Sequence, residues 1–228
     1  MLPTTLARLA CGTLGLLILG SAQAVTRSST FDTDNEGWLV ANIAAAPGAG
    51  TAAVWDSASQ RLVTSDLYTW TTYSAPTAWM GNRVAFYGGT LSFDLMDDLK
   101  DDNADTVATF GISAGSTSMY WFGGAPSTTS MTTFTATLSE ADTRWRIGGL
   151  PTNAALGTLP TAAEFQAVLS GLTLLRINAD WRTAGNDTST LDNVVLQSAP
   201  VPEPGAAALL AAGLAVLAWR RRHTRKLR

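Results

Sequence analysis

The central part of this sequence can do chemistry with oxygen and little else. It holds carboxylates and hydroxyls in number, while the only histidine, His223, and the only cysteine, Cys11, lie near the two ends of the 228-residue chain. Most zinc sites and the Ser-His and Cys-His nucleophile systems need one of those two residue types, so they are excluded from the body. Carboxylates leave two chemistries open. One is glycoside hydrolysis by an Asp/Glu pair, which residue type alone neither supports nor forbids. The other is a hard cation such as calcium. The densest acidic run is Asp97, Asp98, Asp101, Asp102, Asn103 and Asp105. Numbered from Asp101, it lacks the glycine at position six and the acid at position twelve of an EF-hand loop, so a solvated hairpin turn is the favoured reading. Asp192 is the more pointed case. It shares parity with Val194 and Leu196, so a regular strand facing those two inward also turns Asp192 toward the core. A carboxylate there costs several kcal/mol unless paired, hydrogen-bonded or on a metal. Capping of a turn by its backbone N–H partners is the alternative.

Aromatic residues offer a second chemistry, stacking on sugar rings. Trp55, Trp70, Trp121 and Trp145 are the tryptophans considered for it, against core packing as the ordinary fate of so large a side chain. The segment Met119-Tyr120-Trp121-Phe122 precedes Gly123-Gly124 and reads as an exposed loop, so Tyr120 and Trp121 are the expected ligand-binding residues.

Charge narrows the partners. Residues 25–204 carry eight basic and 18 acidic side chains, a net charge of −10, because the remaining basic residues sit in the two ends. Nucleic acid and anionic lipid are bound by Lys and Arg neutralising phosphates, so this body is expected to bind neither.

The elements that position these groups are short strands. Leu91, Phe93 and Leu95 alternate with polar residues, as do Phe134, Ala136 and Leu138, and Leu175, Ile177, Ala179 and Trp181. Each set has the period of a half-buried strand. Further strands are expected at 51–56, 61–66, 106–112 and 191–196, and Phe31–Trp38 reads as strand, turn and strand start. Thr161-Ala162-Ala163-Glu164 is a capping box, and Phe165, Val168 and Leu169 follow at helical spacing with Gly171 as the stop. Many short alternating strands and one short helix predict an all-β, antiparallel β-sandwich.

The stretch from Tyr73 to Leu95 resembles the middle of the laminin B domain (laminin domain IV). The matching residues are Ala75, Pro76, Trp79, Met80, Gly81, Asn82, Tyr87, Gly88, Gly89, Leu91 and Phe93. FDTDNEGW at 31–38 and the run from Thr161 to Leu196, which ends in LDNVVL, extend the likeness in the right order. Trp79 and Trp181 stand where the family often has Phe and Tyr. The resemblance implies a jelly roll of the galactose-binding-like type. In related jelly rolls an early acidic residue and an Asp of the closing strand share a calcium, which implies a structural calcium on Asp32 and Asp192.

The ends carry addresses. Residues 1–24 read as a signal peptide: Arg8, an apolar run at 14–19, and an A-x-A site that places cleavage between Ala24 and Val25. Residues 25–198 are then the sandwich domain and 199–228 a tail. In that tail Val201, Pro202, Glu203 and Pro204 precede an apolar run, 206–219, and a basic end. Prolines at 200, 202 and 204 keep this backbone out of helix. The three parts resemble the PEP-CTERM sorting signal of Gram-negative bacteria, which implies an exosortase-type membrane protease as partner after signal peptidase. It also implies transient residence in the inner membrane through 206–219, then the cell surface or extracellular matrix. An ordinary tail anchor is the alternative.

Together these readings describe an exported, non-enzymatic protein. Its expected role is a binding module for extracellular polysaccharide; a structural or adhesion protein recognising other proteins is the alternative, and a surface glycoside hydrolase a distant third.

Overall fold

A computed structural model describes residues 24–200, 212–214 and 216–217. The chain divides into two units, and residues 24–200 are one of them. The described tail residues are helical and belong to the other unit. The cleavage site's Ala24 and Val25 are described. The rest of the expected signal peptide, the motif Val201 to Pro204 and most of 206–219 lie outside the described residues. Among the described residues no helix is long and apolar enough to cross a membrane.

Thirteen strands form residues 24–200: β1 (Thr26–Ser29), β2 (Leu39–Asn42), β3 (Thr51–Ala52), β4 (Val54–Asp56), β5 (Arg61–Ser65), β6 (Thr71–Ser74), β7 (Thr90–Asp97), β8 (Phe110–Ala114), β9 (Thr117–Trp121), β10 (Thr132–Thr137), β11 (Trp145–Ile147), β12 (Leu174–Asn178) and β13 (Thr188–Gln197). They make two antiparallel sheets. One runs β10-β7-β13-β5-β4, with β1 also on β13; the other runs β11-β9-β8-β12-β6-β2-β3. The expected all-β sandwich is what the chain forms.

The alternating residues meet between the sheets. Leu91, Phe93 and Leu95 of β7 face Phe110 and Ile112 of β8 and Ile177 of β12 in one buried cluster. Phe93 stacks on Phe134 and meets Phe110 edge-on. The helix α1 (Ala162–Ser170) starts at the expected capping box: Glu164 N–H donates to Thr161 Oγ1 and Thr161 N–H to Glu164 Oε2. Its Phe165 packs edge-on to Trp145, closing one side of the core.

Gly88 and Gly89 deliver the chain into β7. Gly88 takes φ +76°, and a β-carbon on Gly89 would stand 2.0 Å from the Gln197 carbonyl oxygen. No other residue type allows β13 so close.

Three expectations are corrected. Phe31–Trp38 forms no strand. β1 ends at Ser29, and Phe31 (φ +54°) and Glu36 (φ +48°) turn the chain, with Glu36 Oε1 accepting from Thr30 and Phe31 N–H. The acidic run is no plain solvated turn. Asp97 ends β7 fully buried, and Asp98 and Asp101 accept from Thr188 and Thr183 N–H, tying the run to the β12–β13 loop. The first and last strands do pair, Ser29 opposite Val194. Asp192, however, does not point inward. A β-bulge between Asp192 and Val195, with Asn193 at φ +49°, changes the parity, so Leu191, Val194 and Leu196 are all buried while Asp192 faces outward.

Candidate functional site

The outer face of the seven-stranded sheet carries a cleft of about 180 Å³ over β8, β9 and β12. Alternation along β8 and β9 sends Phe110, Ile112, Met119 and Trp121 into the core and turns Gly111, Ser118 and Tyr120 outward. Gly111 lies opposite Tyr120 in the register, and a β-carbon there would stand 2.7 and 2.9 Å from Cδ1 and Cε1 of the tyrosine ring. The ring therefore covers a position that has no side chain. Around it stand the hydroxyls of Ser113 and Ser118, hydrogen-bonded at 2.8 Å, with Thr72, Asn178 and Arg176.

Arg176 is the unusual member. Its side chain is buried, donates to the carbonyls of Ile43 and Ala45, and leaves Nε without a partner. Among the described residues no carboxylate pairs with it. Burial holds its guanidinium below the usual arginine range. Its bonds to these carbonyls, and a longer one to that of Ala46, clamp the β2–β3 loop against the cleft.

Of the two expected ligand residues, Tyr120 lines this cleft and Trp121 does not. Trp121 ends β9 and is 1 % exposed. Its indole N–H donates to Asp142, and its ring packs on Phe110 under the guanidinium of Arg144. The tetrapeptide was expected as an exposed loop, but strand alternation gives only one of its two adjacent aromatics to the surface. Trp145 is buried as well, while Trp55 and Trp70 remain half-buried.

Asp32 and Asp192 have partners of their own. Asp32 accepts from the Thr30 hydroxyl at 2.8 Å, and Asp192 is ion-paired to Arg61 at 3.4 Å. The reason given for a cation on Asp192, an inward carboxylate, does not hold in this fold.

Carboxylates converge elsewhere. Oxygens of Asp66, Asp180 and Asp187 all lie within 4.8 Å of one another. Asp66 follows β5, and the other two bracket the β12–β13 loop. Burial, with the charge of Asp187, pushes Asp66 up to about 7. Burial, with the charge of Asp66, pushes Asp180 up to about 6. Beside them is a second cleft, about 280 Å³, with Trp70, Asp101, Asp180 and Arg182 in its walls. No spacing in the chain joins residues 66, 180 and 187. Only the outward parity of Asp180, opposite Ile177 and Ala179, hinted at it.

Comparison with known proteins accounts for the architecture. The family described as Laminin B (Domain IV) matches residues 72–211, from β6 to beyond the last strand. The chain belongs to the laminin B family. This laminin B domain is also 31 % identical over 185 residues to the human laminin subunit gamma-1, an alignment covering 78 % of this chain and 10 % of that protein. The chain thus spans about a tenth of the length of that relative. Its fold is similar to the L4b domain of human laminin alpha-2, with a TM-score of 0.52 at 14 % identity, covering 61 % of this chain and 80 % of that one. Membership of this family supports export and a binding or adhesive role.

Proposed function

We propose that this laminin B domain is an exported, non-enzymatic module that binds extracellular polysaccharide on the outer face of its seven-stranded sheet. The observation that carries the reading is Tyr120. Its ring is held over Gly111 at a surface cleft, with hydroxyl, amide and guanidinium groups around it. A sugar presents an apolar ring face and a rim of hydroxyls, and an aromatic platform edged by hydrogen-bonding groups matches both. At about 180 Å³ the cleft suits one sugar ring of a chain rather than a larger compact ligand.

The test is binding of the purified protein to neutral glycans and to duplex DNA. Glycan binding is expected, and Tyr120→Ala should weaken it about tenfold, roughly 1.4 kcal/mol. Tight, salt-sensitive binding of DNA would overturn the reading, because that behaviour needs a cationic surface. Release of reducing ends from the bound glycan would overturn its non-enzymatic part. Asp101 and Asp180 do share the second cleft, but each already holds a loop, accepting from Thr183 and Thr71 N–H.

A protein-recognising adhesion module is the second reading. Leu150, Leu156 and Leu159, in the segment after β11, are each more than half exposed and offer apolar contacts that a glycan site does not need. A defined protein partner lost on Leu156→Asp but retained on Tyr120→Ala would favour it.

The address belongs to the same proposal. Val201 to Pro204 and the tail behind them support sorting by an exosortase-type protease, with release to the cell surface or matrix after transit of the inner membrane. Mass spectrometry of surface material should find a chain that begins near Val25 and ends near Pro204. An intact Trp219–Arg220 junction in that material would overturn it.

A further inference from the structure

We infer that Asp66, Asp180 and Asp187 bind a divalent cation, calcium by its chemistry, which ties the end of β5 to both ends of the β12–β13 loop. Three carboxylates with oxygens within 4.8 Å of one another cannot all carry charge at neutral pH without a counter-ion. No side chain supplies one: the ion pairs among the described residues are Arg61–Asp192 and Arg144–Asp142, both elsewhere.

Two oxygens of the trio also lack donors. Asp187 is 1 % exposed; one oxygen accepts from Trp181 N–H at 2.9 Å, and Oδ1 has no hydrogen-bond partner. Asp66 Oδ1 is likewise buried and unpartnered. A fourth group gives independent support. Asp97, outside the trio, is fully buried, has an unpartnered Oδ2, and lies opposite Ser189 on β13, two residues from Asp187. Buried acceptors without partners each cost about 1–3 kcal/mol, more when charged. A cation satisfies several of them at once.

The donor set selects the ion. All the groups are carboxylate oxygens, with no nitrogen or sulfur to favour zinc or copper. Calcium ligands stand about 2.3–2.6 Å from the ion, so two oxygens on one shell reach about 4.6–5.2 Å apart. The three oxygens all lie within 4.8 Å of one another, so one such shell can take them together. Magnesium demands a near-ideal octahedron and sheds its waters reluctantly, so a cluster of several side-chain carboxylates suits calcium better.

The site shares no residue with the cleft at Tyr120 and does not rest on glycan binding there. It adjoins the second cleft, since Asp180 belongs to both and Trp70 stands in the same walls.

Two measurements on the whole protein test this. In the first, the melting temperature is followed with calcium, magnesium and a chelator, in the wild type, Asp187→Asn and Asp192→Asn. Calcium should raise the wild-type value with ln(1 + [Ca]/Kd). The rise should be lost in Asp187→Asn and kept in Asp192→Asn. In the second, terbium luminescence excited through tryptophan reads the ion directly, because Trp70 and Trp181 line the adjoining cleft. Calcium should displace the signal, and Asp180→Asn should weaken terbium binding at least tenfold. This keeps the test open if Asp187→Asn fails to fold. Identical melts with calcium and chelator, no calcium-displaceable terbium signal, or a calcium response lost in Asp192→Asn but kept in Asp187→Asn would each overturn the site. An equal response to magnesium would overturn the choice of ion.

Discussion

Tyr120 rests over Gly111, its cross-strand partner on β8, at a distance that a single methyl group would close: the position of a β-carbon on Gly111 is 2.7 Å from Tyr120 Cδ1. Gly111→Ala should therefore push the ring aside and weaken glycan binding about as much as Tyr120→Ala. Folding should suffer little. The displaced atom belongs to a side chain, and alanine in a strand recovers about 0.5–1 kcal/mol of backbone entropy relative to glycine. Affinity measurement beside a thermal melt separates the two effects.

Tyr73 joins the sheets. It lies on β6, is 0 % exposed, and donates its hydroxyl to the Ser189 carbonyl of β13 at 2.7 Å. Burial pushes that hydroxyl well above the usual tyrosine range, so it stays a donor through alkaline pH. Tyr73→Phe should cost about 1–3 kcal/mol, the cost of a buried acceptor left unpaired. Urea unfolding checks it, with the midpoint expected to fall and the slope to stay unchanged.

Asp142 fixes the corner between β10 and β11. It accepts from Trp121 Nε1 and from two nitrogens of the Arg144 side chain. Burial alone would raise its carboxyl, but the bonds from Arg144 and Trp121 outweigh burial and hold it below the ordinary 3.8. The stabilisation is therefore complete above that ordinary value and fades as pH falls through the lower folded one. Asp142→Asn should lower stability at pH 7 and flatten its decline in acid below about pH 4. Tryptophan fluorescence during acid titration of both proteins reads the difference.

Asp192 should matter little to stability. It faces outward at the bulge; its side chain is 14 % exposed and that of its partner Arg61 38 %. An ion pair on the outer face of a sheet, with its arginine partly in solvent, contributes about 0–1 kcal/mol, less in salt. Asp192→Asn should shift the unfolding midpoint by no more than that. A loss of several kcal/mol would mean that the carboxylate holds something beyond Arg61 and the Asn193 N–H.

The sequence by itself determined the layers. The alternation in β7, β10 and β12 is set by which face of a pleated strand meets apolar neighbours. That local period does not depend on which strand lies alongside. The capping box at Thr161 is equally local, since donor and acceptor are three residues apart. Only the tertiary structure decided where the polar groups point. One extra residue at Asn193 reverses the parity by which a regular strand would turn Asp192 inward. Strand pairing decides that Tyr120 reaches the surface while its neighbour Trp121 does not. The convergence of Asp66, Asp180 and Asp187 arises because β5 flanks β13 in one sheet while β12 enters the other, a contact between segments more than a hundred residues apart. Hydrophobic period specifies a face within each strand, and the proximity of such distant side chains follows only from sheet order and register.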